Sequence, residues 1–145
     1  MPAEAEALQQ RLLDDLEAAD VLLLGVPLYN YSLPSSLKAW LDHVHVLGTT
    51  ASFDRPTQPY AGKPAVVVAT RGATYDEGSP TDGWDHAVPV LELVLGRALG
   101  MTVTTIVASA TLAGRAAALE SLIPRAEAER AQAHARAVAL AQELG

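Results

Sequence analysis

The sequence predicts an α/β protein, a parallel sheet with helices on both faces. Three observations lead there. Three short apolar runs, at residues 21–26, Pro64–Thr70 and Thr102–Ala108, alternate with segments of helical periodicity. Each connection is long enough for the right-handed crossover that parallel neighbours require. No repeat, low-complexity tract or linker interrupts the chain, so all 145 residues read as one domain.

The elements follow in order. Over residues 3–18 the leucines Leu8, Leu12, Leu13 and Leu16 fall on one stripe, which predicts an amphipathic helix. Residues 21–26 form a continuous apolar run closed by Pro27, and its length favours a buried strand over a helix. A second helix is expected over 34–46. Ser32 serves as its cap, Pro34 lies in its first turn and Gly48 ends it, with Leu33, Leu37, Trp40, Leu41 and Val44 on one face. Residues 49–62 have no period and read as a loop. Pro64–Thr70, centred on three valines, is the second strand, and a Gly-containing loop runs from Arg71 to about Asp85. Helix three, over 86–99, is apolar almost all round, broken only by His86, Glu92 and Arg97. Such a helix is either deeply buried or an oligomer face. A β-branched strand follows at Thr102–Ala108, and an Ala-rich helix over 113–144 is expected to be interrupted at Pro124.

Composition excludes several functions. Seventeen acidic and ten basic residues give a net charge of −7, with nothing to neutralise nucleic-acid phosphates. No basic amphipathic helix addresses a membrane surface. Mean hydropathy is only +0.16, and no apolar run approaches the length of a bilayer span. The acidic start lacks the apolar core of a signal peptide, so a cytoplasmic location is expected. Cysteine is absent, which removes thiolate chemistry and Cys-based metal sites. His43 and His45 are two apart, point to different sides of a helix and have no carboxylate cluster beside them, so no metal is expected. Ser109, Thr111 and Ser121 have no nearby histidine to suggest a hydrolase triad.

Ligands of open α/β sheets bind beyond the carboxyl ends of the strands. Two of those ends are unusual. Tyr29-Asn30-Tyr31 offers flat surfaces around an amide that donates and accepts, and Arg71-Gly72-Ala73 sets a cation beside residues small enough for close approach. A flat heteroaromatic with an amide-like edge suits both. On composition alone a plainer reading stands beside it, in which the aromatics pack a turn and Gly72 serves a bend. Tyr75 reads either as a proton donor or as a solvent-facing loop residue. Asp85 reads as an acid/base partner of His86 or, more plainly, as a helix cap.

The stretch Pro27-Leu28-Tyr29-Asn30-Tyr31-Ser32-Leu33-Pro34-Ser35-Ser36-Leu37-Lys38-Ala39-Trp40-Leu41-Asp42 resembles the signature of FMN-dependent NADH azoreductases and their quinone-reductase relatives. Thr70-Arg71-Gly72-Ala73 is similar to the second flavin loop of that family, with Ala73 where a second glycine is usual. Pro80-Thr81-Asp82-Gly83-Trp84-Asp85-His86 is similar to its bacterial NAD(P)H-dependent branch. The resemblance implies a flavodoxin-like fold, a homodimer, and a ping-pong reaction in which NAD(P)H reduces FMN and the flavin reduces a quinone or azo compound. It also implies that Leu28, Tyr29, Asn30, Tyr31, Thr70, Arg71, Gly72 and Ala73 contact the isoalloxazine, largely through backbone groups.

The resemblance covers about the last two-thirds of the family pattern. The family's first strand, its Ser-rich phosphate loop and its second strand have no counterpart here, so the expected fold lacks the first two strands. Residues 21–26 would then form a sheet edge without the lysine, proline or bulge that usually guards one. Two readings follow: an FMN-dependent NAD(P)H oxidoreductase, either truncated as given or started at a wrong Met, or a non-catalytic remnant serving as a dimerisation or protein-binding module.

Overall fold

Strands β1 (Leu22–Pro27), β2 (Pro64–Thr70) and β3 (Thr102–Ala108) run parallel in that spatial order in the computed structural model, which describes residues 3–145. The register pairs Leu22 with Ala65 and Pro27 with Thr70, then Pro64 with Thr102 and Thr70 with Ala108. Pro27, Thr70 and Ala108 therefore end in one row, and the three loops that follow start from a common line. The strands lie where periodicity places them, with β1 shifted one residue later to include Pro27.

The alternation of side chains along β2 divides the interior in two. Ala65, Val67 and Ala69 face a large core with Leu16 of α1 (Ala3–Ala18), Leu41 and Val44 of α2 (Ser35–Val44), and Leu91, Leu95 and Leu99. Val66 faces the other way, with Ile106 and Leu140 of α4 (Ile123–Leu144). Helices thus cover both faces, but α4 covers its face alone. β1 has a strand neighbour on one side only, and its Leu23, 68% exposed, projects uncovered.

Single polar side chains terminate the helices of the larger face. Lys63 Nζ donates to the carbonyls of Leu16, Glu17 and Ala19 at the end of α1, where the helix dipole favours a cation. Buried Thr50 Oγ1 donates to the Val44 carbonyl and accepts from the Val46 amide, closing α2. Ser32 does not cap α2: Pro34 holds that position, and the Ser32 amide and carbonyl are committed to a preceding turn.

Two helices depart from the sequence expectation. The third begins as α3 (Val88–Leu91) and continues as a π-helical segment (Glu92–Ala98), with the Leu99 amide reaching back to Val94 and Met101 to Leu95. The wider coil keeps Leu91, Leu95 and Leu99 together in the core. Near the carboxyl terminus, residues 109–116 are loop and turn, Ala117–Leu122 is a 3-10 turn, and Pro124 starts α4 instead of breaking it. Proline suits a first turn, where its missing N–H has no partner to lose.

The apolar perimeter of residues 86–99 leaves burial and an oligomer face open, and Leu91 and Leu95 are fully buried within the protomer. On this helix Leu93, 53% exposed, is the leucine that faces outward. Leu95→Ala should therefore lower stability by about 2–5 kcal/mol, whereas Leu93→Ala should change it by less than about 0.5–1 kcal/mol. Urea unfolding followed by circular dichroism distinguishes the two.

Candidate functional site

The first loop leaves β1 with the Leu28 amide bonded to the Thr70 carbonyl at 2.9 Å. It then closes on itself. The Tyr29 and Ser32 amides each donate to the other residue's carbonyl at 3.0 Å, so Asn30 and Tyr31 form a two-residue hairpin turn. Both have positive φ, 47° and 67°, as a type I′ turn requires. Asparagine tolerates this conformation, but a tyrosine in it is strained. Against the plainer reading, in which these aromatics pack the turn, Tyr29 and Tyr31 remain 61% and 45% exposed.

The second loop continues the β2–β3 ladder. The Arg71 amide donates to Ala108, and those of Ala110, Thr111 and Leu112 donate to the carbonyls of Ala73, Arg71 and Gly72. A Cβ at Gly72 would lie 2.8 Å from Leu112 Cδ1, so the glycine admits a close crossing. Ala73 does not have positive φ, and a Cβ there meets no backbone penalty. These bonds leave four donors. Among the described residues, the backbone amides of Asn30, Tyr31, Gly72 and Ala73 donate to no protein acceptor.

The Arg71 side chain is held by other side chains of the protein. Its guanidinium turns into the protein, with Nη2 and Nε on Ser109 Oγ at 2.9 and 3.3 Å and Nη1 on Asp85 Oδ2 at 3.1 Å. The Tyr75 ring lies 5.5 Å from its centre. Asp85 uses its other oxygen, Oδ1, to accept from the amides of Ala87 and Val88, which bears out the cap reading. Tyr75 is half-buried and not a free loop residue. Burial, and secondarily Tyr31, raise its pKa, so it keeps its proton.

Behind Ser109 stands a second charged pair. The Ser109 amide donates to Glu129 Oε2 at 2.7 Å, and Arg125 joins Glu129 Oε1 to both oxygens of Asp76. Burial opposes ionisation of Glu129. The hydrogen bonds from Arg125 and Ser109 outweigh it and hold the carboxyl below its usual range. Asp76 is lowered chiefly by its hydrogen bond from Arg125. Spacing did not reveal Ser109, Glu129 or Arg125 as supports of the loop, because they lie 38–58 residues beyond it.

At the rim, the Tyr31 and Trp84 rings meet edge to face, 5.2 Å apart at 88°. The His86 amide donates to the Tyr31 carbonyl at 2.9 Å, tying the start of the third helix to the first loop. A separate open groove of about 690 Å³ lies on the α4 face. It touches the loops at Thr70 and Ser109 and carries Arg115, Arg130 and His134. No helix among the described residues is long and apolar enough to cross a membrane.

A family model described as flavodoxin-like fold matches residues 1–139. A Kineococcus radiotolerans protein named FMN-dependent NADH:quinone oxidoreductase is 54% identical over 99% of this chain and 67% of its own length. A Streptomyces avermitilis protein of the same name is 42% identical over 98% of this chain and 64% of its own. The chain thus spans about two thirds of the length of these relatives. The crystal structure of an azoreductase from Bacillus anthracis superposes with a TM-score of 0.79 at 23% identity, covering 97% of this chain and 64% of that one.

Two outcomes follow from the geometry. Asn30→Gly should leave stability near neutral, whereas Asn30→Val should cost about 1–2 kcal/mol in thermal unfolding. Glu129 and Asp76 titrate below their unfolded values, so the stability they supply is complete above about pH 4.5. It is lost as pH falls through the lower folded values. Urea midpoints should drop between pH 5 and 3, and the drop should be shallower in Arg125→Met.

Proposed function

We propose, for a chain that belongs to the family of flavodoxin-like fold, that it forms the isoalloxazine-binding end of an FMN-dependent NAD(P)H oxidoreductase that reduces quinones or azo compounds. The observation that carries this reading is the set of four backbone amides without protein acceptors at the ends of β1 and β2. A flavin ring presents carbonyl oxygens and ring nitrogens along one edge, and such an edge accepts from amides. The relatives at 54% and 42% identity, both named FMN-dependent NADH:quinone oxidoreductase, support the same chemistry.

In this reading Leu28, Tyr29, Asn30 and Tyr31 on one side, and Thr70, Arg71, Gly72 and Ala73 on the other, hold the isoalloxazine. Asn30, Tyr31, Gly72 and Ala73 donate from the main chain, and the strained turn fixes the first two donors before the ligand arrives. Gly72 keeps the second loop close against Leu112. Arg71 acts through its backbone, and its side chain braces the loop from behind. FMN, when bound, would supply hydride and electron transfer between NAD(P)H and the acceptor. The residues here orient and exclude water, and no side chain is required as an acid or base.

The whole 145-residue unit is read as one domain acting in the cytoplasm as a homodimer, with Leu93 and the partly buried Trp40 available to a partner. One observation favours a second reading, a protein-binding module: the bare β1 face at Leu23.

FMN and riboflavin, which lacks the phosphate, test the proposal when titrated into this chain. The residues assigned here touch the ring alone, so the two should bind with dissociation constants within about threefold of each other. Two charge-assisted phosphate bonds would instead favour FMN by a hundredfold or more. A preference of that size would reveal a phosphate site on this chain. Failure of both ligands to bind would remove the oxidoreductase reading and leave the module.

A further inference from the structure

We infer that Trp84 determines acceptor specificity, forming with Tyr31 an aromatic wall for a flat, uncharged acceptor of the quinone class. The inference rests on the function proposed above. A tryptophan is usually drawn into the interior, yet Trp84 is 47% exposed and its ring meets Tyr31 edge to face. Tyr31 follows Asn30 directly, so the wall stands beside the four free amides.

The wall is held in place from three directions. Tyr31 keeps a left-handed φ of 67°, an unfavourable state that persists only where surroundings dictate it. Its carbonyl is fixed by the His86 amide. Trp84 is followed by Asp85, whose two oxygens are committed to Arg71 and to the Ala87 and Val88 amides. A surface tryptophan serving only solubility or packing needs none of these restraints.

Charge selects the kind of acceptor. The protein carries a net −7, which disfavours anionic acceptors; beside the wall Arg71 is paired with Asp85, and Asp82 adds a carboxylate bonded, among the described residues, only to the Gly78 amide. Tyr75, close by, stays neutral. What remains outward is flat apolar surface, which suits a neutral conjugated ring.

The chain contains two tryptophans, Trp40 and Trp84, so their indole N–H resonances can be assigned with Trp40→Phe. Menadione, a neutral naphthoquinone, is titrated into the FMN-mixed and the FMN-free chain. The Trp84 resonance should shift saturably while that of Trp40 stays put. Trp84→Ala should weaken menadione binding about tenfold, read from the amides of residues 28–31, and Trp84→Phe should restore it to within about threefold. In turnover the menadione KM should rise in step, with the ferricyanide KM unaltered. An unmoved Trp84 resonance, equal movement of both indoles, or an unchanged affinity in a well-dispersed Trp84→Ala spectrum would overturn the assignment. Should Trp84→Ala fail to fold, the wild-type shift pattern and Trp84→Phe decide it. The flavin titration separately reports whether the parent reading fails.

Discussion

The Arg71 guanidinium is the contact through which the ends of β2 and β3 and the start of the third helix are kept together. It reaches Ser109 at the end of β3 and Asp85 ahead of the helix, and its own backbone extends the ladder from β2. The Arg71–Asp85 pair is largely buried, with side chains 17% and 12% exposed. Removing one partner would leave a desolvated charge without compensation, which is far more costly than the net worth of the pair. The position of Trp84 and the anchoring of Tyr31 both lie downstream of this contact.

Strands and helix faces were legible in the sequence because they depend on local periodicity. Residues 64–70 and 102–108 announce themselves by β-branched content, and Leu16, Leu41 and Val44 by helical spacing. The site was legible only in part. Residues 28–31 and 70–73 stand out through their chemistry, and the structure brings them to adjacent strand ends. The inward turn of Arg71 was not readable, since its partners Asp85 and Ser109 are 14 and 38 residues away. The positive φ of Tyr31 was also hidden, because no propensity favours tyrosine there and only the surrounding contacts impose it. The apolar perimeter of residues 86–99 allowed both burial and an oligomer face. Leu91, Leu95 and Leu99 take the first role, and Leu93 stays exposed.

The two faces of the sheet are unequal. One is covered by α1, α2 and the third helix, the other by α4 alone, and on that second face Leu23 and Gly25 are exposed. The loops at residues 28–31 and 70–73 sit at the row of strand ends shared by both faces, and the second is braced from α4 through Glu129 and Arg125. The groove beside α4 meets the second loop along Thr70 and residues 109–111.

The π-helical stretch Glu92–Ala98 has a bearing on how this chain tolerates changes of length. A π turn is in effect an α-helix holding one residue too many between fixed ends. Loss of a single outward residue there would let the coil relax to ordinary α geometry without shortening the path from Leu91 to Met101. Elsewhere in the helices the same deletion would rotate every following side chain off its face. The segment is therefore a place where this chain could lose a residue without rethreading the core.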